Sequence, residues 1–244
     1  DIQNTFAEHG ADHRRLKFKT ENLNEIIDKY LNDKNYDIIY YNFEQILPNG
    51  QIYNRYQLEK FSKLSKEELI KHTISWNLPW GQFKIIKTSI IKENNIHFDE
   101  QVKNSEELFF TIQVLENSSR IFFFDKIVYQ YLKRENSLST NINLKLSKYT
   151  LEIIFTKLKQ KFEQTVYQGV IHNYKIIFQI DLLKQATNTK QYKIFKETCK
   201  EIRKNISNID CHYIAKKYQM ILKIVTFHLD FLLYLAFKIY FRRK

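Results

Sequence analysis

Two adjacent carboxylates, Glu106 and Glu107, head an apolar run in the stretch KNSEELFF, Lys103 to Phe110. A carboxylate at a helix N-terminus meets the positive end of the helix dipole, so it stays ionised at neutral pH and its position is firm. Those are the properties of a general base that takes a proton from a sugar hydroxyl. The same spacing also describes the acidic first turn of an ordinary helix, with Ser105 as its N-cap. Spacing does not choose between the two. Other chemistries find little support, because no Gly-rich phosphate loop, GxSxG elbow or HExxH pattern occurs. The seven histidines are dispersed, and His72 and His97 read as surface or packing residues.

The elements that would hold these residues can be read from periodicity. Leu23, Ile26, Ile27, Tyr30 and Leu31 repeat at helical spacing. YDIIYYNFEQI is apolar on both faces and reads as a buried strand, after which Asn49-Gly50 makes a hairpin turn. LSKEELIKHTI starts a helix with a capping box, Ser65 and Glu68. NLPWGQF is a loop, KTSIIKENN a short helix and KNSEELFFTIQVLENSS another helix. RIFFFD and KIVYQYLKR read as two successive strands, the second with Ile127, Tyr129 and Tyr131 on one face. From about Ser139 onward only helical patterns appear. The expected organisation is α/β for residues 1–140 and an all-helical, basic extension for residues 141–244.

Composition bounds the function classes. The chain has 244 residues, 43% hydrophobic and 15% aromatic, enough for a substantial core. Only 4 Gly and 2 Pro argue for long helices and against a sandwich of short strands. The net charge of +12 favours anionic partners, although the lysines are scattered in the manner of a solvated surface. No nucleic-acid-binding pattern appears and the aromatics sit at core spacings, so nucleic acid is not an expected partner. Two cysteines, Cys199 and Cys211, fit neither a disulfide framework nor a zinc site. No secretory signal is visible, and the start at Asp1 suggests a processed or truncated product.

The most apolar segment is ILKIVTFHLDFLLYLAFKIYFRRK. Lys223, His228, Asp230 and Lys238 interrupt it, and each charge would cost about 2.5–3.5 kcal/mol at a bilayer centre. At about 100° per residue, Lys223, Thr226, Asp230 and Lys238 fall on one side of a helix that ends in Arg242-Arg243-Lys244. That is the pattern of a helix lying in a membrane interface with a basic anchor. A helix packed on the domain with a basic tail fits equally well.

Taken in order, four groups of residues carry a resemblance. They are Trp80-Gly81, Phe98-Asp99-Glu100, Ser105-Glu106-Glu107, and Tyr129 through Arg134 to Ser137 and Ser139. This set resembles the family 2 inverting glycosyltransferases of the GT-A fold, whose bacterial members build capsule, lipooligosaccharide and related surface glycans. Their pattern is a Trp-Gly-Lys-like turn, an FDE segment, a GED helix start and a YxYxxRxxSxS strand. The resemblance spans roughly Glu21 to Thr140. It implies the acceptor-side part of a Rossmann-like GT-A domain and inverting transfer from a nucleotide-sugar donor to a glycan acceptor. By that resemblance Glu107 stands where the family has its catalytic Asp, with one methylene more of reach. Glu106 supports the site, Trp80 beside Gly81 lines the acceptor pocket, and Arg134 contacts the donor diphosphate. Core packing for Trp80 and a plain surface position for Arg134 remain open beside those roles.

The resemblance also implies a DxD motif holding Mn²⁺ or Mg²⁺ on the donor diphosphate. Here the motif is not intact. The nearest residues are Asp12 and His13 in EHGADHRRL, and the strand–helix unit that should precede them is missing or degenerate. The expectation is a weak or inactive enzyme when the chain stands alone, located in the cytoplasm or peripherally on the cytoplasmic face of the inner membrane. The competing expectation is a non-catalytic, basic protein that binds a membrane surface or a partner.

Overall fold

The computed structural model describes residues 16–32, 35–81, 83–102, 105–133 and 143–242. In chain order the first elements are β1 (Leu16–Phe18), α1 (Thr20–Ile26) with a π-helical turn (Ile27–Asn32), β2 (Ile38–Ile46) and β3 (Ile52–Tyr56). Then come α2 (Lys66–Ile74), β4 (Lys84–Ile86), α3 (Thr88–Glu93), α4 (Glu107–Glu116) and β5 (Ile121–Leu132). The helices α5 (Leu144–Phe162), α6 (Gln168–Asn188), α7 (Tyr192–Asn205), α8 (Lys216–Thr226) and α9 (Asp230–Arg242) follow. The fold is therefore mixed α/β with a helical C-terminal part.

The chain divides into two compact units, each drawn from three stretches. One comprises Asp1–Leu64, Gly81–His97 and Gln113–Asn141; the other comprises Ser65–Trp80, Phe98–Ile112 and Ile142–Lys244. The expected division near residue 140 runs linearly along the chain, whereas these units interleave.

In the first unit β2 is buried at almost every position, because strands cover both its edges. β5 pairs with it in parallel along its whole length. On the other edge β4 takes Ile38–Tyr40 and β3 takes Phe43–Ile46, both antiparallel. β1 closes the far edge of β5. Burial of this kind explains the near-continuous apolar run of β2. The Asn49-Gly50 hairpin forms as expected: Gly50 has φ 83°, a left-handed value that suits glycine, and the Asn49 side chain accepts from Gln51 N–H at 3.0 Å.

The two strands expected between Arg120 and Arg134 are one. The polar Asp125-Lys126 pair, which looked like a turn, bulges out of a continuous β5. The register steps from Tyr41–Phe124 to Asn42–Ile127. Asn42, only 3% exposed, makes the bulge possible. Its Nδ2 donates to the Asp125 carbonyl at 2.8 Å, and its Oδ1 accepts from Leu58 N–H at 2.6 Å. Two positions on, buried Glu44 binds Arg55 of β3 and Gln130 of β5 at 2.8 and 2.9 Å. Burial alone would raise its pKa, but the bonds from Gln130 and Arg55 hold it below the usual carboxylate value.

In the second unit α6 is buried nearly all round, from Val170 to Thr187. Ser65 caps α2 as expected, accepting from Glu68 N–H at 3.2 Å. The return half of the capping box is replaced, since the Glu68 carboxylate accepts from the Tyr213 hydroxyl at 2.7 and 2.9 Å. The final apolar segment is two helices rather than one. α8 ends at Thr226, His228 takes φ 59°, and α9 restarts at Asp230. The cause is Arg203, whose guanidinium grips Asp230 at 2.7 and 3.0 Å and the Val225 carbonyl at 2.9 Å. Among the described residues no helix is long and apolar enough to cross a membrane.

Two outcomes test these packing arguments. Asn42→Leu strands a buried N–H and a carbonyl, so urea unfolding should show a loss of about 2–4 kcal/mol; a loss near zero would show that the bulge does not need the amide. Burial, with Asp230 nearby, pushes the Cys199 thiol up to about 12, whereas Cys211 is exposed. Iodoacetamide in the native state should therefore modify Cys211 and spare Cys199, read by mass spectrometry.

Candidate functional site

The site is built where α2 stops. Trp76 N–H donates to the Thr73 carbonyl at 3.2 Å and Asn77 N–H to the His72 carbonyl at 2.9 Å. This is a Schellman ending, whose left-handed residue is ordinarily glycine. Here it is Trp76, at φ 60°. A bulky residue in that region is strained, and such strain gathers where a side chain must be held for a purpose. The held side chain is the indole. It stands edge-to-face on Trp80 at 5.1 Å and on Phe178 at 5.8 Å, with Tyr174 at 6.1 Å. Trp80 is 6.3 Å from Tyr174. Its indole N–H donates to the Thr73 carbonyl at 2.8 Å, and its own carbonyl accepts from the Thr111 hydroxyl at 3.0 Å.

Asn173 of α6 locks this arrangement from below. Its Nδ2 donates to Ser75 Oγ at 3.2 Å and to the Asp210 carbonyl at 2.9 Å, and its Oδ1 accepts from Asp210 N–H at 2.9 Å. Nearby, a Cβ on Gly169 would lie 3.2 Å from the Asp210 side chain, so only glycine fits without a shift.

The carboxylate pair lies at the head of α4. Glu107 is the first helical residue and the acidic residue of the first turn, so the helix-dipole reading holds. Ser105 is not the N-cap. It lies one residue further out with φ 78°, far from the extended backbone of a cap, and its carbonyl accepts from Leu108 N–H at 3.1 Å. The turn demands a left-handed residue, which gives a physical reason for the glycine of a GED start.

Burial pushes the Tyr174 phenol up, and the neighbouring Ser105 hydroxyl offsets this only in part. Among the described residues the Tyr174 oxygen makes no hydrogen bond of good geometry, and neither do the buried Trp76 Nε1 and Glu106 Oε2. The FDE segment braces the helix start. Phe98 stacks on Phe110 at 4.4 Å, and Asp99 accepts from Gln101 N–H at 3.0 Å and pairs with Lys157 of α5.

Of the residues singled out in the sequence, Glu106, Glu107 and Trp80 belong to the second unit with this cluster. Gly81 belongs to the first unit, where its carbonyl accepts from Phe83 N–H and the Lys84 ammonium, both at 2.8 Å. Asp12, His13 and Arg134 lie outside the described residues. No three His, Cys, Asp or Glu side chains are grouped to hold a metal among the described residues. Trp76 and Tyr174 were not foreseen as site residues; the one sequence signal was a second tryptophan four residues before Trp80.

No protein-family model matches the chain, and no curated protein matches it. Among solved structures, it resembles residues 1–349 of S. aureus TarS in complex with UDP-GlcNAc, at TM-score 0.51 and 15% identity. The match covers 93% of this chain and 65% of that one, so the chain spans somewhat under two thirds of that structure. The same TarS fragment in complex with UDP aligns at TM-score 0.47 and 13% identity, covering 93% of this chain and 64% of that one. The first likeness shows a fold shared with TarS.

The strain at Trp76 is measurable. Both Trp76→Gly and Trp76→Ala remove the ring, but only glycine relaxes the left-handed backbone. The Gly variant should be the more stable by about 1 kcal/mol in thermal unfolding; equal stabilities would mean that the position is unstrained.

Proposed function

We propose that the chain carries the acceptor-side part of an inverting, family 2-like glycosyltransferase of the GT-A type. It moves a sugar from a nucleotide-sugar donor to a glycan acceptor in the synthesis of capsule, lipooligosaccharide or another surface polysaccharide. One observation carries the reading. Among the described residues, the buried polar atoms of Trp76, Tyr174 and Glu106 make no hydrogen bond of good geometry, and they lie in the same unit as an aromatic cluster and a carboxylate-headed helix. Aromatic faces take the apolar faces of sugars, and orphaned donors and acceptors take their hydroxyls. The fold shared with TarS, crystallised with UDP-GlcNAc, supports a nucleotide-sugar donor.

Glu107 acts as the base. As the acceptor oxygen bonds to the anomeric carbon, the bond from that carbon to the donor phosphate breaks. The nucleoside diphosphate leaves with the electron pair, and the acceptor proton passes to the Glu107 carboxylate. Glu106 orients the acceptor, and Trp80 with Trp76 forms its platform. Gly81 shapes the turn that follows the platform, and Arg134 binds the donor diphosphate. Mn²⁺ or Mg²⁺ belongs to the same reading as the donor's counter-charge, with Asp12 and His13 as its proposed ligands. The reading puts the chain in the cytoplasm, peripheral to the inner membrane where surface glycans are assembled.

A thermal-shift panel of nucleotide sugars, with and without Mn²⁺, tests donor binding. A donor at about 100 times its Kd should stabilise the protein by about 2.7 kcal/mol. Glu107→Gln should keep that shift and lose about 10²–10⁴-fold in sugar transfer. No shift with any donor would overturn donor binding by this chain, and undiminished transfer by Glu107→Gln would overturn Glu107 as the base.

A further inference from the structure

The elbow between α8 and α9 has a charge pattern that the transfer reaction does not use. Arg203 is neutralised by Asp230, with both side chains largely shielded from solvent. That pair removes the one carboxylate facing an open cleft of about 720 Å³. The cleft is otherwise lined by Tyr192, Lys196, Lys200, Lys204, His228 and Phe231. The three lysines recur every four residues on α7 and so share one face. Lys204 pairs with Glu201 at 2.9 Å, whereas Lys196 and Lys200 have no ion pair among the described residues. Phe231, which lines the cleft with these cations, is 59% exposed, and the same elbow exposes Phe227 by 72% and Leu232 by 58%.

Uncompensated lysines call for an anionic partner, and neighbouring exposed rings call for an apolar one. A free phosphorylated solute would leave the rings in water. A second copy of the chain would bring like charges together. We propose that the α7 lysine face and the α8–α9 elbow form a docking surface for an anionic phospholipid membrane. Lipid phosphates occupy the cleft, while Phe227, Phe231 and Leu232 enter the boundary between headgroups and acyl chains. This replaces the single interfacial helix of the sequence reading with a bent surface that includes α7. It stands on these residues alone, so its failure would leave the sugar-transfer chemistry untouched and remove only the peripheral location.

The test is flotation of the full chain with vesicles of phosphatidylcholine, with and without phosphatidylglycerol. The protein should float only with phosphatidylglycerol present, and salt should release it. Lys196→Glu/Lys200→Glu should weaken binding about tenfold or more. Phe227→Ser/Phe231→Ser should weaken it as well, with circular dichroism confirming that each variant is folded. No flotation, or flotation unchanged in both variants, overturns the proposal. So does stabilisation by inorganic phosphate without flotation, which would mark a site for a soluble phosphate. Serine variants that convert a dimer to monomers yet float normally would show self-association instead.

Discussion

A single buried amide, the side chain of Asn173, sets the geometry on which the candidate site depends. It ties the end of α2 and the backbone at Asp210 to the core helix α6 through three hydrogen bonds. Ser75 precedes the strained Trp76, and Tyr174 follows Asn173 in sequence. Fixing the amide therefore fixes where two rings of the cluster begin. A hydrophobic contact would have no such directionality. This is why a polar group at 0% exposure makes sense in an otherwise apolar helix.

The first unit uses the same device for a different end. Asn42 lies in the most apolar strand of the sheet, yet its amide satisfies a bulge carbonyl on one side and a backbone N–H on the other. Glu44 extends this with bonds to the strands on either side of it. Strand pairing supplies the stability, and these few buried polar side chains specify the register. Without them the long apolar β2 would slip easily against its partners.

Much of this was legible in the sequence. Turn chemistry gave Asn49-Gly50, and periodicity gave α2, β2 and the helices α5 to α7, because each of these elements follows from local hydrophobic spacing. It also marked the start of α4, because an acidic first turn is a local signal. It missed β1 and β4, three residues each, which are too short to show a period and exist only because a neighbour offers an edge. It split β5 at Asp125-Lys126, because a bulge and a turn look alike until the partner strand is known. It ran α8 and α9 together, because the break comes from Arg203, more than twenty residues earlier. In the site, Glu107 and Trp80 were visible as residue types, whereas Trp76 and Tyr174 became relevant only through long-range packing.

The scarcity of glycine has a consequence for the chain before it folds. Among the described residues, Asn35, Trp76, Asn95, Ser105, Gln164, Lys190 and His228 all take positive φ, positions where many proteins place glycine. Each costs local strain in the native state. Each also removes a freely swivelling joint from the denatured ensemble, so that ensemble has fewer conformations to lose on folding. The strain at Trp76 and Ser105 is thus partly offset by a stiffer disordered chain, a compensation that no native contact records.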